Sequence, residues 1–380
     1  MKKWIILTLV VGVLFGMAPA NVQAASQTKK ACSKRAAAGS ARCNAQIVTD
    51  SKNKPLISST PVGYGPADFK NAYGVKGSAS VVVAVVVAYD APHIADDLNT
   101  YSRTFGIATL PSCTSESQSS CFKKYDERGG SSFPAADSGW AVEASMDVES
   151  VHGLCPHCRI DFIEAASSSM ADLGQAVDQA ASLHAKVVSN SYGGPETASE
   201  TSADGHYNHA GVVMVASSGD SGYGTSYPAA SPYVVAVGGT DLHMNGAVVT
   251  SETAWLDAGS GCSKYESKPT WQHDTSCKKR SIADVAADAD PATGAAVYDS
   301  YPDEGRSGWF KVGGTSLAAP LVAGMLAASG RLSNQPAWFY SNASMVRDIV
   351  SGHNGSCKTY LCLSGNGYDG PTGLGVLNRL

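Results

Sequence analysis

The sequence is poor in charge. Of its 380 residues only 16% are Asp, Glu, Lys or Arg, against roughly a quarter in an ordinary soluble domain. Basic side chains are in no excess, with 28 Lys and Arg facing 33 Asp and Glu for a formal net charge of −5. That balance excludes the basic footprint a nucleic-acid partner demands. Beyond the N-terminus no apolar run approaches the roughly 20 residues that cross a bilayer, so no membrane partner is expected. Aromatic residues are sparse at 8%, yet apolar residues reach 43%, with 39 Gly and 17 Pro. Such a mixture is too apolar for a disordered chain and suits a compact, loop-rich fold.

Lys2 and Lys3 precede an apolar run from Trp4 to Met17, and small residues follow to Ala24. This is the layout of a secretory signal peptide over residues 1–24, cut after Ala24 with Val22 and Ala24 at the recognition positions. Its apolar centre, about 14 residues, is too short for an anchor. A secreted, extracellular protein is therefore expected. Ten cysteines fit that setting, because export favours disulfides over thiols. They fall into five neighbouring couples: Cys32/Cys43, Cys113/Cys121, Cys155/Cys158, Cys262/Cys277 and Cys357/Cys362. Local loop closure is the cheapest pairing, although spacing leaves the connectivity open. Cys155-Pro156-His157-Cys158 has the spacing of a thiol exchange site, or of half a zinc site with His152 or His157. It follows a helical stretch, whereas a thiol is activated at a helix start.

Residues 25–59 are rich in Lys, Ala and Ser without a sustained period and read as a short N-terminal extension. From 60 to 380 the chain alternates. Apolar, β-branched runs at 80–89, 159–164, 186–190, 211–217 and 233–237 predict strands. Helical patterns lie between them at 94–105, 139–151, 170–184 and 200–209. Such alternation predicts one α/β domain with a mostly parallel central sheet and helices on both faces. Sites in such sheets form at the carboxyl ends of the strands.

Three stretches carry chemistry. Gly313-Gly314-Thr315-Ser316-Leu317-Ala318-Ala319-Pro320 opens a helix running to about Ser329. Pro320 is expected to fall in the first turn, where proline is tolerated. Ser316 then sits at a helix N-terminus, which favours developing negative charge, though a serine there more commonly only caps the helix. In Trp140-Ala141-Val142-Glu143-Ala144-Ser145-Met146-Asp147, Glu143 and Asp147 are four residues apart and share a helix face. On a wet surface they repel mildly; in a dry cleft they share a proton. Ser217-Ser218-Gly219-Asp220-Ser221-Gly222 follows an apolar strand, so Asp220 lies at the functional edge of the sheet or simply makes an Asx-turn.

Taken together these segments resemble the sedolisin (serine-carboxyl peptidase) family, which has a subtilisin-like fold. The Gly-Thr-Ser-x-Ala-x-Pro segment is shared with the subtilisin branch, but the His-Gly-Thr-x-Val-Ala-Gly helix of that branch is missing. Tyr64-Gly65-Pro66-Ala67-Asp68, Ser189-Asn190-Ser191-Tyr192-Gly193 and Asp284-Val285-Ala286-Ala287-Asp288-Ala289-Asp290-Pro291 extend the resemblance over residues 60–380. They resemble the start of the mature domain, the strand edge that holds extended substrate, and a segment lining the specificity pocket. The resemblance implies a serine-type endopeptidase with Ser316 as nucleophile, Glu143 as general base and Asp147 orienting Glu143. Asp220 would stand at the oxyanion, and since an ionised carboxylate donates nothing, it must act protonated, in acid. A pepstatin-type mechanism is not expected. The resemblance also implies Ca2+ near the C-terminus, held by Asp348 and Asp369 and the carbonyls of Ile349, Gly365 and Gly367, with water completing the shell. Protein or peptide substrates and a monomer are expected. Family members carry a long pro-region; here about 35 residues separate the leader from the domain start. Two rivals remain: a neutral triad of Asp90, His152 and Ser316, and a calcium-stabilised binding protein on an inactive peptidase fold.

Overall fold

In the computed structural model, which describes Met1 and residues 27–32, 35–332 and 336–378, the β-branched runs assemble into a ten-stranded sheet. The expected leader lies, apart from Met1, outside the described residues. Across the sheet the strands follow the order Val346–Arg347, Val376–Leu377, Val285–Asp288, Val234–Asn245, Val213–Ser217, Val187–Asn190, Val82–Ala88, Arg159–Ala165 and Phe122–Asp126. The pairings from Phe122–Asp126 through to Val285–Asp288 are all parallel. Antiparallel pairing enters at Val346–Arg347 and at Val248–Ala254, a side strand on Val234–Asn245. Residues Val83–Ala88 are all buried. Because alternate side chains of a strand point to opposite faces, both faces of the sheet are covered.

The helix Ser138–Leu154 is buried from Gly139 onwards, and Asp137 caps it by accepting from the amides of Gly139 and Trp140. It packs against the helix Thr315–Ser329, which lies along the sheet. Neither helix exposes a face along its length, so both belong to the interior. Pro320 is the sixth residue of its helix rather than part of the first turn. It therefore leaves the carbonyl four residues back, that of Ser316, without its helical donor. The hydroxyl of Ser191 fills the gap at 3.2 Å.

Three strands from the segment read by sequence as an extension, Gln27–Lys30, Gln46–Thr49 and Ile57–Ser58, are woven into a second, antiparallel sheet. Its order is Gln27–Lys30, Gln46–Thr49, Arg306–Gly313 and Ala295–Asp303, with Ile57–Ser58 also paired to Arg306–Gly313. Arg306–Gly313 runs directly into Gly314 and the helix bearing Ser316. Two local expectations fail. The helix at 200–209 is two short 3-10 turns, Glu200–Ser202 and Asp204–Tyr207, because Gly205 and Asn208 break a pattern with few apolar anchors. The strand at 233–237 continues to Asn245, where its second half is held by Val248–Ala254. All five neighbouring cysteine couples are disulfides. No helix among the described residues is long and apolar enough to cross a membrane.

Candidate active site

Ser316 is the second residue of its helix, delivered by Gly314 at φ 102°. A side chain at 314 is impossible for a second reason: its Cβ would lie 1.9 Å from the carbonyl oxygen of Asn44 and 2.6 Å from Asp220 Oδ2. Ser316 Oγ donates to the main-chain oxygen of Ser191 at 2.9 Å, and the hydroxyl lies near enough to Glu143 to oppose the upward shift of that carboxyl. The expected carboxylates do share a helix face, and both side chains are fully buried. Burial, reinforced by the charge of Asp147, drives the Glu143 carboxyl well above the usual range, and burial does the same to Asp147. Glu143 Oε1 and Asp147 Oδ2 have no other partner. A proton shared between them satisfies both, the outcome for two carboxyls in a dry site. Asp147 Oδ1 accepts from Ser191 Oγ at 2.7 Å.

Asp220 follows the strand Val213–Ser217, on the same side as Ser316. Its Oδ1 accepts from the amide and hydroxyl of Thr315 at 2.8 and 2.7 Å, so the first residue of the helix bearing Ser316 fixes its orientation. Burial pushes its carboxyl up to about 6, against the hydrogen bonds from Thr315 and Gln46 and the charge of Lys30. Ser316, Glu143, Asp147 and Asp220 thus meet at one place.

Four further residues meet there that sequence reasoning left outside the domain. Arg42–Cys43 pairs antiparallel with Tyr192–Gly193, the strand edge read from sequence as a substrate rail. The amide of Asn44 donates to Ser316 Oγ at 3.0 Å, and its side-chain nitrogen to Ser217 Oγ at 2.9 Å. The amide of Ala45 donates to Glu143 Oε2 at 2.9 Å, and Gln46 Nε2 to Asp220 Oδ2 at 3.1 Å. Lys30 Nζ donates to the carbonyl of Asp220 at 2.9 Å. Ser316 is 0% exposed beneath this strap of residues 42–46. Beside it opens a cavity of about 260 Å³ lined by Arg42, Asn44, Gly193, Ser218, Asp220 and Gly259. The stretch from Asp284 to Pro291, expected at the specificity pocket, is absent from that lining. Asp284 instead neutralises the fully buried Arg280, and Ala289 accepts from the amide of Gly314 at 2.6 Å.

The neutral triad does not assemble. His152 Nε2 is engaged by the carbonyl of Ala108 at 2.8 Å, and burial lowers its pKa to about 4. Asp90 is paired with Lys124. At the C-terminus, Asp369 accepts from Thr372 and from the amide of Gly365, and Asp348 Oδ2 from the amide of Gly367 at 2.7 Å. Asp348 Oδ1 is buried without a partner, and burial, with Asp348 adding, raises the Asp369 carboxyl to about 7. Two crowded carboxyls with an orphaned oxygen fit a cation. With only two carboxylates, carbonyls must supply the remaining ligands.

The subtilase family model matches residues 128–351. Sedolisin of Pseudomonas sp. (strain 101) is 30% identical over 375 residues, covering 86% of this chain and 61% of that protein. Kumamolisin of Bacillus sp. (strain MN-32) is 28% identical, covering 84% and 62%. The chain thus spans about three fifths of the length of these curated relatives. The structure of Pseudomonas sedolisin complexed with two molecules of pseudo-iodotyrostatin superposes with a TM-score of 0.71 at 30% identity, covering 84% of this chain and 96% of that one.

Proposed function

Because the chain belongs to the subtilase family, on its sedolisin branch, we propose that it is a secreted, acid-acting serine-carboxyl endopeptidase. One observation carries the reading: Ser316 Oγ and Glu143 Oε2 accept from the backbone amides of Asn44 and Ala45, and Asp220 Oδ2 accepts from the side chain of Gln46, so all three meet one short stretch of chain, residues 44–46. A site that binds extended peptide by its backbone, with nucleophile, base and acid around one carbonyl, is built for acyl transfer.

In this reading Ser316 Oγ attacks the scissile carbonyl while Glu143 takes its proton, then returns it to the leaving amine. Asp147 holds Glu143 through the shared proton. Asp220 keeps Oδ1 on Thr315, so its proton sits on Oδ2, facing the recess left open by Gly314. There it donates to the developing oxyanion, which an ionised Asp220 repels. Ca2+, held by Asp348, Asp369 and the carbonyls of Ile349, Gly365 and Gly367, would supply rigidity to the C-terminal loop and take no part in the reaction.

The test is hydrolysis of denatured protein by chain pre-incubated in acid, followed from about pH 2 to 8. Acid activity is expected, falling by about three orders of magnitude in Ser316→Ala and in Glu143→Gln. Wild-type rates in Glu143→Gln refute the base assignment. The burial of Ser316 favours the alternative, a binding protein on an inactive fold; a serine-directed label that never modifies Ser316 after acid treatment supports it.

A further inference from the structure

We propose that Asn354, a buried side chain of the C-terminal loop, is a positioning residue for Asp220: through Ala258 and Ser260 it sets the backbone that carries this acid. The inference rests on the peptidase reading and goes beyond it by adding a residue that touches none of the reacting groups.

Thr315 fixes the carboxyl of Asp220 from one side. Residues 257–260 fix its backbone from the other. The amide of Gly259 donates to the carbonyl of Gly219 at 2.7 Å, and Asp220 bridges antiparallel to Ala258. The amides of Gly222 and Gly224 donate to the carbonyls of Asp257 and Ser260 at 2.8 and 2.7 Å. At Gly259 the two backbones press together, since a Cβ there would lie 2.2 Å from the carbonyl oxygen of Ser218. Packed this closely, a shift of one segment moves the other.

Asn354 clamps residues 257–260 from behind. Its side-chain nitrogen donates to the carbonyl of Ala258 at 2.5 Å and to Ser260 Oγ at 2.7 Å. Ser260 Oγ in turn donates to the carbonyl of Leu361 at 2.6 Å. The carbonyl of Asn354 accepts from the amide of Tyr223 at 2.8 Å, and its amide donates to the carbonyl of Cys362 at 3.0 Å. One residue thus joins the C-terminal loop, residues 257–260 and the loop that follows Asp220. Asn354, Ala258 and Ser260 are all buried. The carbonyl of Ala258 only accepts, which turns the amide nitrogen towards it and leaves Asn354 Oδ1 buried without a partner. An orphaned oxygen costs stability, so packing alone does not account for an asparagine here; the two bonds from its nitrogen do.

Without the clamp, Asp220 loses in two ways. A displaced carboxyl no longer lies where an oxyanion needs its donor. A wetter one loses part of the burial that raises it to about 6, and titrates at lower pH. The bonds of Asn354 go to uncharged groups. Alanine at 354 therefore leaves unaltered the charges that face Asp220: Lys30, which Arg42 and Asp257 also influence, and Glu143. The uncharged donors Thr315 and Gln46 stay as well.

The test follows kcat/KM against pH on labelled denatured albumin, beside thermal melts, for full chain pre-incubated in acid. Asn354→Ala is expected to lower kcat/KM about tenfold through kcat, with KM within about twofold of wild type. The fall in rate above about pH 6 is expected to move towards acid by about half a pH unit. Ser260→Ala removes one of the two acceptors and is expected to move it the same way by less. Tyr360→Phe loosens the same loop elsewhere, at Asp274 and Ser276; a lower melting temperature with an unmoved profile is expected. Should Asn354→Ala not fold, Ser260→Ala decides. A profile in the variant so read that superimposes on wild type after scaling overturns the inference and leaves the peptidase reading standing. An equal displacement in Tyr360→Phe does the same, because any loosening of the loop then suffices. Wild-type chain without acid hydrolysis overturns both.

Discussion

The hydroxyl of Ser191 lies 3.2 Å from the main-chain oxygen of Ser316, the carbonyl that Pro320 strips of its helical donor. It also lies 2.7 Å from Asp147 Oδ1. The single hydroxyl proton of Ser191 is thus divided between two acceptors, the Asp147 carboxyl and the Ser316 carbonyl. The backbone of Ser316 and the acid pair are thereby linked through a single serine.

Ser191→Ala orphans the Ser316 carbonyl, at a cost of about 1–3 kcal/mol. A lower melting temperature and a kcat reduced about tenfold, with KM little changed, are expected. Steady-state kinetics beside thermal melts check it, and an unaltered kcat means the link has no part in positioning Ser316.

In the proposed mechanism, Asp220→Asn replaces a donor that depends on a proton with one that does not. The Asp220 carboxyl is raised to about 6, with Lys30, Gln46 and Thr315 facing it, so it donates below that pH and repels an oxyanion above it. The wild-type rate is expected to fall about tenfold per pH unit above about 6. In Asp220→Asn this fall moves to higher pH. A pH profile of kcat/KM decides, and superimposable profiles remove Asp220 from the oxyanion.

Buried carboxyls outside the site are expected to make stability itself acid-favouring. Burial raises Glu164, Glu200 and Glu266 from 4.5 to about 8. Each binds its proton more tightly folded than unfolded, so its contribution is whole below 4.5 and is lost as pH rises towards about 8. Melting temperatures are expected to fall between those limits, and less steeply in Glu266→Gln. A flat curve in Ser316→Ala, which cannot digest itself, contradicts this account.

Removing calcium with a chelator is expected to lower the melting temperature by several degrees and to bring one ion out with it. Asp348→Asn is expected to reproduce the loss, because the orphaned oxygen of Asp348 is the one a bound cation would satisfy. Calorimetry with metal analysis gives the answer; identical melts with and without chelator leave the two carboxylates as ordinary turn acceptors.

The central sheet was legible in the sequence because fully buried parallel strands are written as unbroken β-branched runs; the run at 80–89 became Val82–Ala88. Glu143 and Asp147 were legible because helical spacing alone puts them on one face. The strap was not. Asn44 and Ala45 carry no periodicity, since their places are set by main-chain bonds to Ser191 and Glu143 and by an antiparallel partner more than 100 residues away. The one available signal was Cys32 and Cys43, which implied an ordered segment. The error at Pro320 had the same root: a helix start is set by Gly314 and its backbone contacts, which a sequence does not display.

The five disulfides join residues only 3 to 15 positions apart. Together they shorten the contour of the 380-residue chain very little, and short loops restrain the unfolded ensemble least. Covalently the molecule is close to a plain thread with five small knots. Denatured, it should run on a gel at nearly the same position reduced or oxidised, and every long-range contact in it must be held without a covalent bond, by packing, strand pairing and hydrogen bonds.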